Sequence, residues 1–186
     1  MFGWIVFALV VAVIGYAVYL YNDLVKQRQL TEEGWSGIDV QLKRRTDLIP
    51  NLLETVKGYM GHERETLEAV TNARAAAQSG ASAGPAARAQ LEGALSGALG
   101  RLLAVAEAYP DLKANTTFLE FQQALQTVED ELQLSRRYYN GAARNLNIAV
   151  ESFPSVIVAN FFKFTKAEYF ELENEADRAV PSVKFS

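Results

Sequence analysis

The pair His62-Glu63 is the first feature of this sequence that could do chemistry, because imidazole and carboxylate groups both bind divalent cations. A di-iron site in a helical bundle needs two Glu-x-x-His elements and further carboxylates. His62 is the single histidine of the chain, and there is no cysteine. Neighbouring residues on a helix also point roughly a quarter turn apart. The sequence therefore predicts no metal site and no cofactor.

Catalysis by a serine nucleophile would require a base close to the hydroxyl group, and histidine is the usual one. His62, the only histidine, lies in a segment whose spacing is helical. An enzyme also needs several titratable groups that converge in one pocket, and the chain offers few candidates. We expect a protein that is not an enzyme.

The basic run Lys43-Arg44-Arg45 could bind nucleic acid or the head groups of anionic lipids. A helix distributes three successive residues over different faces, so the run does not form one patch. The chain carries a formal net charge of -4 and a sequence pI near 5.1. It lacks the positive field that dominates nonspecific binding to phosphate backbones, so we expect no nucleic acid partner.

Arg45 differs from its two basic neighbours because it lies in a seam, a row of residues at three-four spacing that share one helix face. Its neighbours in this seam are the apolar residues Leu42 and Ile49. An unpaired guanidinium group at such a position is costly to desolvate. We therefore predict an ion pair between Arg45 and a carboxylate of the long C-terminal helix. Glu129 and Asp130 are the two candidates for this carboxylate.

The element that precedes these residues is a charge-free run, residues 1–22. As a helix, residues 2–21 would extend about 30 Å, roughly the thickness of the hydrocarbon part of a bilayer. Aromatic residues suited to the two interfaces stand near its ends: Trp4, Tyr16, Tyr19 and Tyr21. The sequence predicts a lipid membrane as a partner, through a single span over residues 1–22.

Two alternatives compete with this anchor. One is a buried core helix, but an apolar run this long exceeds what a small soluble bundle surrounds. The other is a cleaved signal peptide, which would need a basic first region and a shorter apolar stretch, whereas residues 1–3 are uncharged. The positive-inside rule predicts a cytoplasmic domain, because basic residues follow the span: Lys26, Arg28, Lys43, Arg44 and Arg45.

Seam residues at three-four spacing continue after the span, which is the pattern of packed helices. The first seam consists of Trp35, Ile38, Leu42, Arg45, Ile49, Leu52, Val56, Tyr59, Glu63, Thr66 and Val70. Pro50 should kink this helix because it removes an amide donor, yet the seam keeps its register past it. We predict one long kinked helix, followed by a loop over residues 78–84.

Two further seams follow the loop. The first extends over residues 91–109 and ends at a turn that begins with Pro110. The second has the strongest periodicity and extends over residues 118–153, with Tyr139 among its members. Asn115 or Thr116 can cap the start of this helix. With no strand pattern between the seams, the sequence predicts an all-α fold.

Aromatic rings are concentrated in residues 154–170, where they alternate with lysines. The simpler interpretation is that these rings close one end of the bundle, because burial of aromatic groups completes a small core. The alternative is that they contact the membrane or a partner.

Several blocks of the sequence together resemble the LemA family. The first is residues 35–52, which read WSGIDVQLKRRTDLIPNL, followed by VKGY at residues 56–59 and by His62-Glu63. The later blocks, in the same order, are residues 109–115 (YPDLKAN), Glu129-Asp130, residues 136–140 (RRYYN) and residues 153–155 (FPS). The resemblance covers nearly the whole chain. It implies one N-terminal membrane span, an antiparallel bundle of long helices and a bacterial inner membrane, and it implies no activity.

The expected organisation is a transmembrane anchor over residues 1–22, a helical bundle over residues 23–177 and a C-terminal tail over residues 178–186. We expect a structural or scaffolding protein that organises a membrane region through self-association or through protein partners that the sequence does not identify. The alternative is a sensor that relays a conformational change through the kink at Pro50.

Self-association into a homo-oligomer is expected from two features. Gly3 and Gly15 offer small surfaces for helix packing in lipid, and Phe161 and Phe162 exceed what the short terminal segment needs for itself. The residues singled out as structural or interaction candidates are Arg45, Asp47, Pro50, Asn51, Glu129, Asp130, Tyr139, Phe161 and Phe162.

Overall fold

The computed structural model of the protein describes residues 1–171, and these residues form helices and no strands. The helices are α1 (Phe2–Lys57), α2 (Arg64–Ser79), α3 (Pro85–Ala106), α4 (Pro110–Lys113), α5 (Thr116–Glu151) and α6 (Ser155–Phe161). The predicted all-α fold is confirmed. The predicted domain boundary at residue 22 falls inside α1, and the predicted boundary at residue 177 and the tail lie outside the described residues.

The chain divides into two compact units. Unit 1 contains Met1–Val40 and Glu131–Tyr169, and unit 2 contains Gln41–Asp130 with Phe170 and Glu171. Within unit 1, Leu24 and Leu146 belong to the same core cluster. The ring centroids of Trp35 and Tyr139 lie 5.4 Å apart. Residue numbers rise along α1 as they fall along α5, so the two helices are antiparallel there.

Helix α1 continues past Pro50, as the unbroken seam predicted. The seam residues from Ile38 to Val56 are buried. The prediction that the same helix extends along the seam to Val70 is wrong, because α1 ends at Lys57 and α2 begins at Arg64. Gly58 and Gly61 lie in the break, and glycine has a high entropic cost in a helix.

Unit 2 has its core between α1, α2, α3 and the first part of α5. Its buried apolar residues include Ile49, Leu52, Val56, Val70, Leu95, Leu102 and Phe118. The predicted loop at residues 78–84 is shorter than expected, since α2 continues to Ser79 and α3 begins at Pro85. Proline suits this first helical position, where its missing amide costs nothing.

Helix α5 begins after Asn115, whose Oδ1 accepts a hydrogen bond from the Phe118 amide at 3.0 Å. Of the two predicted caps, Asn115 is therefore the one used. The predicted turn at Pro110 contains the short helix α4. The prediction that Phe153 is the last seam residue of this helix is wrong. Helix α5 ends at Glu151, and the Phe153 side chain is 81% exposed.

Candidate functional site

The first turns of α1 form an apolar surface that no other described part of the chain covers. No residue is buried in the most apolar 18-residue stretch of α1. The helix is long and apolar enough to cross a membrane. Its exposed large side chains include Trp4, Ile5, Phe7, Leu9, Val10, Val13, Ile14, Tyr16 and Tyr19. A core helix would bury such residues, so this burial pattern opposes the core-helix alternative and gives a candidate membrane-spanning helix.

The C-terminal end of this apolar stretch packs against α6 in unit 1. Val158 and Ala159 of α6 are buried with Leu24, and Ala17, Leu20 and Tyr21 pack against the same cluster. The Tyr21 ring lies 4.6 Å from the Phe162 ring and 5.8 Å from the Phe164 ring, measured between centroids. Helical periodicity contains no sign of this contact, because its two sides are far apart along the chain.

The opposite side of α6 and its flanks are exposed. Phe153, Ile157, Phe161 and Phe162 are 81%, 61%, 79% and 52% exposed. The expectation that the aromatic residues of this segment close one end of the bundle is thus only partly right. Phe170 is buried and Phe164 packs against the cluster, whereas Phe161 is largely exposed and Phe162 is half exposed with its ring against Tyr21.

The chain that follows α6 is held against α5 by two polar side chains. Asn147 donates through Nδ2 to the Ala167 carbonyl at 3.0 Å and accepts from the Ala167 amide at 2.8 Å. The Tyr139 hydroxyl donates to the Glu168 carbonyl at 2.7 Å. Burial, and then the charge of Glu168, raise the pKa of Tyr139 to about 12. Tyr139 and Asn147 thus fix the segment that carries α6, which gives the Tyr139 candidate a positioning role.

A shallow cleft lies beside this segment, again within unit 1. It has a volume of ≈ 260 Å³ and is lined by Arg28, Thr31, Glu32, Leu146 and residues 163–167. The Arg28 Cζ atom lies 5.3 Å from the centroid of the Phe164 ring, and Lys166 Nζ lies 2.8 Å from Glu151 Oε1. The apolar end of unit 1 therefore has a rim that contains cations.

Unit 2 contains a different constellation, a buried ion cluster formed by Arg45, Glu92, Ser96 and Glu129. Arg45 Nη2 lies 2.7 Å from Glu129 Oε1 and donates to Ser96 Oγ at 2.7 Å. Arg45 Nη1 lies 3.5 Å from Glu92 Oε2, and both side chains are almost fully buried. The ion pair predicted between Arg45 and Glu129 is present.

The sequence suggested neither Ser96 nor Glu92 as a member of this cluster. Burial raises the pKa of Glu92, while Arg45 and Arg88 lower it and Glu129 raises it further. The spacing of α3 could have identified Glu92 as a buried residue. The buried residues of this helix that repeat at three-four spacing are Arg88, Glu92, Leu95, Leu99, Leu102 and Ala106. The seam chosen from the sequence instead began at Leu91, which is only half-buried.

The other predicted site residues do not join this cluster. Asp47 pairs with Lys43 at 2.9 Å on the surface, and Asp130 accepts a hydrogen bond from Gln126. Asn51 is exposed and its carbonyl accepts a bond from Thr55. Pro50 is half-buried within α1.

Residues 1–171 contain no group of three His, Cys, Asp or Glu side chains that could hold a metal ion, and His62 is exposed. Residues 80–84 read GASAG, which matches the letters of a serine nucleophile elbow. That elbow requires a turn from a strand into a helix. Here the segment connects the helices α2 and α3, so the match lacks its structural context.

Comparison with known proteins agrees with the architecture. The LemA family matches residues 34–185. Magnetosome protein MamQ 2 of Paramagnetospirillum magneticum is 27% identical over 92% of this chain and 72% of that protein. Protein LemA of Metamycoplasma hominis is 29% identical over 85% of this chain and 73% of that protein. The LemA family is not a known enzyme family. The match extends over far more than half of the sequence, and the chain therefore belongs to the LemA family.

Proposed function

We propose that this chain is a membrane-anchored scaffold that has no catalytic activity and acts through self-association in a bacterial inner membrane. The observation that carries the proposal is the uncovered apolar stretch at the start of α1, which continues without a break into the helix that forms part of both unit cores. A span joined rigidly to a folded domain fixes that domain at the bilayer surface. Such an arrangement suits a protein that positions others.

Self-association is supported by the small residues of the span. Ala8, Ala12 and Gly15 follow one another at four-residue and three-residue steps, so they share one helix face. Small residues at this spacing let two helices approach closely in lipid. A Cβ atom added to Gly15 would meet nothing within 4 Å, so this face is open. Ala17, which packs against the unit 1 core, lies on another side of the helix.

The absence of cysteine makes a direct test possible. Single-cysteine variants Ala12→Cys and Gly15→Cys, expressed in bacterial membranes and oxidised, should form disulfide-linked dimers. Val6→Cys and Val10→Cys, on a different face of the same helix, are the matched controls and should crosslink weakly. Equal and low crosslinking at all four positions, at native expression levels, would contradict self-association through this face.

The domain is proposed to face the cytoplasm, because Lys26, Arg28 and the basic run at residues 43–45 follow the span. Leu134 lies on the surface of α5 and offers a labelling position in unit 1. A membrane-impermeant maleimide added to spheroplasts should not label Leu134→Cys until the membrane is lysed. Labelling of intact spheroplasts would reverse the orientation.

The second candidate function is a sensor, and the observation that favours it is the continuity of α1 through Pro50. A scaffold needs no transmitted change, so Pro50→Ala should leave crosslinking at position 15 unchanged. A sensor that relays movement along α1 should change the crosslinking yield when this residue is replaced. The two functions are thus distinguished by one additional variant.

A further inference from the structure

We propose that α6 and its flanking rings form a second membrane contact, embedded at the lipid interface beside the span. The contact surface consists of the exposed side chains of Phe153, Ile157, Phe161 and Phe162. This inference rests on the membrane anchoring proposed above, and it assigns the surface to lipid.

The depth at which α6 would lie in the membrane follows from its packing beside α1. Asp23 is the first charged residue after the apolar run, and Tyr16, Tyr19 and Tyr21 precede it, so the membrane interface lies at this end of the run. The buried side of α6 belongs to the same core cluster as Leu24, against which Ala17, Leu20 and Tyr21 pack, and the Phe162 ring that follows α6 lies 4.6 Å from the Tyr21 ring, measured between centroids. A helix packed in this cluster lies at the boundary between head groups and acyl chains.

The composition of the surface fits that depth. Helix α6 reads SVIVANF and carries no charge, and its only strongly polar side chains are Ser155 and Asn160. Its covered side is apolar as well, with Val158 and Ala159 in the unit 1 core. A short helix that is apolar on both sides gains nothing from water, whereas its outer rings are favoured at a lipid interface.

Cations stand where such a helix would meet the head groups. Lys163 directly follows the rings and has no carboxylate partner among residues 1–171. It adopts φ 58°, a left-handed conformation that is unusual for a residue other than glycine. Arg28 and Lys166 line the neighbouring cleft. Long basic side chains at this depth can extend their charge to anionic head groups while their stems remain in apolar surroundings.

A second copy of the chain is the other occupant that an exposed apolar surface could take. Lipid is favoured because the surface is continuous with the span through the Tyr21 and Phe162 rings. Any protein partner would have to displace lipid at that depth.

The test uses the full chain, which contains no cysteine, in liposomes of phosphatidylcholine and phosphatidylglycerol. Nitroxide labels are placed on Ile157→Cys and Phe161→Cys. Leu134→Cys, at an exposed apolar position of similar exposure on α5, is the matched control. Val10→Cys in the apolar run tests the span itself. Collision rates are measured with oxygen, which enters lipid, and with a nickel chelate, which stays in water.

We expect labels at 157 and 161 to collide more often with oxygen than with the nickel chelate, and the label at 134 to show the reverse. If the label at 10 lies in lipid while those at 157 and 161 resemble 134, the second contact is refuted and the anchor stands. If the label at 10 also lies in water, the anchoring proposal itself fails. Dipolar broadening at 161 with protection from both reagents would assign the surface to a second copy instead.

Discussion

Unit 1 and unit 2 depart from the usual distribution of side chains in opposite directions. Unit 1 leaves large apolar groups uncovered, on the start of α1 and on the outer side of α6. Unit 2 buries charged groups, with Arg45 and Glu92 almost removed from solvent. Both arrangements are costly for a protein surrounded by water alone.

The difference indicates what each unit interacts with. Exposed apolar groups at one end of unit 1 are favourable only against lipid or another protein. Buried charges in unit 2 are already paired internally, through Glu129, Ser96 and Glu92. The buried ion cluster therefore selects how α1, α3 and α5 pack in unit 2, and it offers no group to an outside partner.

The largest expected effect comes from breaking the buried ion cluster. Arg45→Met removes the cation between Glu92 and Glu129 and leaves Glu92 buried. Loss of one partner from a buried pair costs about 3–5 kcal/mol, so the free energy of unfolding should fall by that amount. Chemical denaturation of the detergent-solubilised protein, followed by circular dichroism, measures it.

The control for this variant is Lys43→Met, which breaks an exposed pair with Asp47 on the same helix. Exposed pairs contribute about 0–1 kcal/mol, so this variant should unfold almost as the wild type does. Equal effects of the two substitutions would mean that the cluster is not what specifies the packing in unit 2.

A smaller effect is expected from the close packing of α1 on α5 in unit 1. A Cβ atom at Gly34 would lie 3.0 Å from the Tyr139 Cα atom and 3.1 Å from Tyr138 Cδ1. Gly34→Ala should therefore destabilise the protein by about 1–2 kcal/mol, since overpacking costs more than the gain in helix propensity.

Gly37→Ala is the matched control on the same helix. Its added Cβ atom would meet only Ser135 Oγ, at 3.8 Å, which is an ordinary contact. This variant should be neutral or more stable by about 0.5–1 kcal/mol, because alanine is the better helix former. Thermal unfolding of both variants measures the two effects. A stabilised Gly34→Ala protein would contradict the close packing of α1 on α5 at this position.

The smallest expected effect is the pH dependence that Glu92 gives to the free energy of unfolding. Burial raises the pKa of Glu92 above its ordinary value of 4.5, so the folded state holds a proton that the unfolded state has lost. Between the two pKa values the free energy of unfolding therefore falls as the pH rises. Glu92→Gln removes this dependence, so its free energy of unfolding relative to the wild type should increase as the pH rises from below 4.5.

Denaturation of the wild type and Glu92→Gln across this pH range tests the sign. Glu120→Gln, at an exposed position on α5, is the matched control for the loss of one carboxylate. If the free energy of unfolding of Glu92→Gln relative to the wild type decreases as the pH rises, the pKa of Glu92 is lowered rather than raised.

The sequence predicted the features that depend on local periodicity. The α1 seam from Ile38 to Val56 and the need of Arg45 for a carboxylate partner followed from spacing, because heptad positions decide which side chains become buried. Glu129, the partner found, was one of two candidates. The end of α1 at Lys57 was not predicted, since glycine only weakens a helix and packing decides where it stops.

The contacts that hold α6 and the chain after it could not be predicted from one sequence. The bonds from Tyr139 and Asn147 to the chain after α6 involve backbone atoms, which leave no pattern in the side chains. The two sides of α6 have similar composition, so periodicity could not separate the buried Val158 from the exposed Phe161.

The central claim, a self-associating membrane scaffold, is tested most directly by counting copies in native membranes. The protein, carrying one fluorescent tag, would be extracted with its lipid by a polymer that forms nanodiscs and observed by single-molecule photobleaching. The account predicts two or more bleaching steps for most particles, and a shift toward one step for Gly15→Leu but not for Val10→Leu, which lies on a different face of the same helix. A single step for the wild type at every expression level would contradict it.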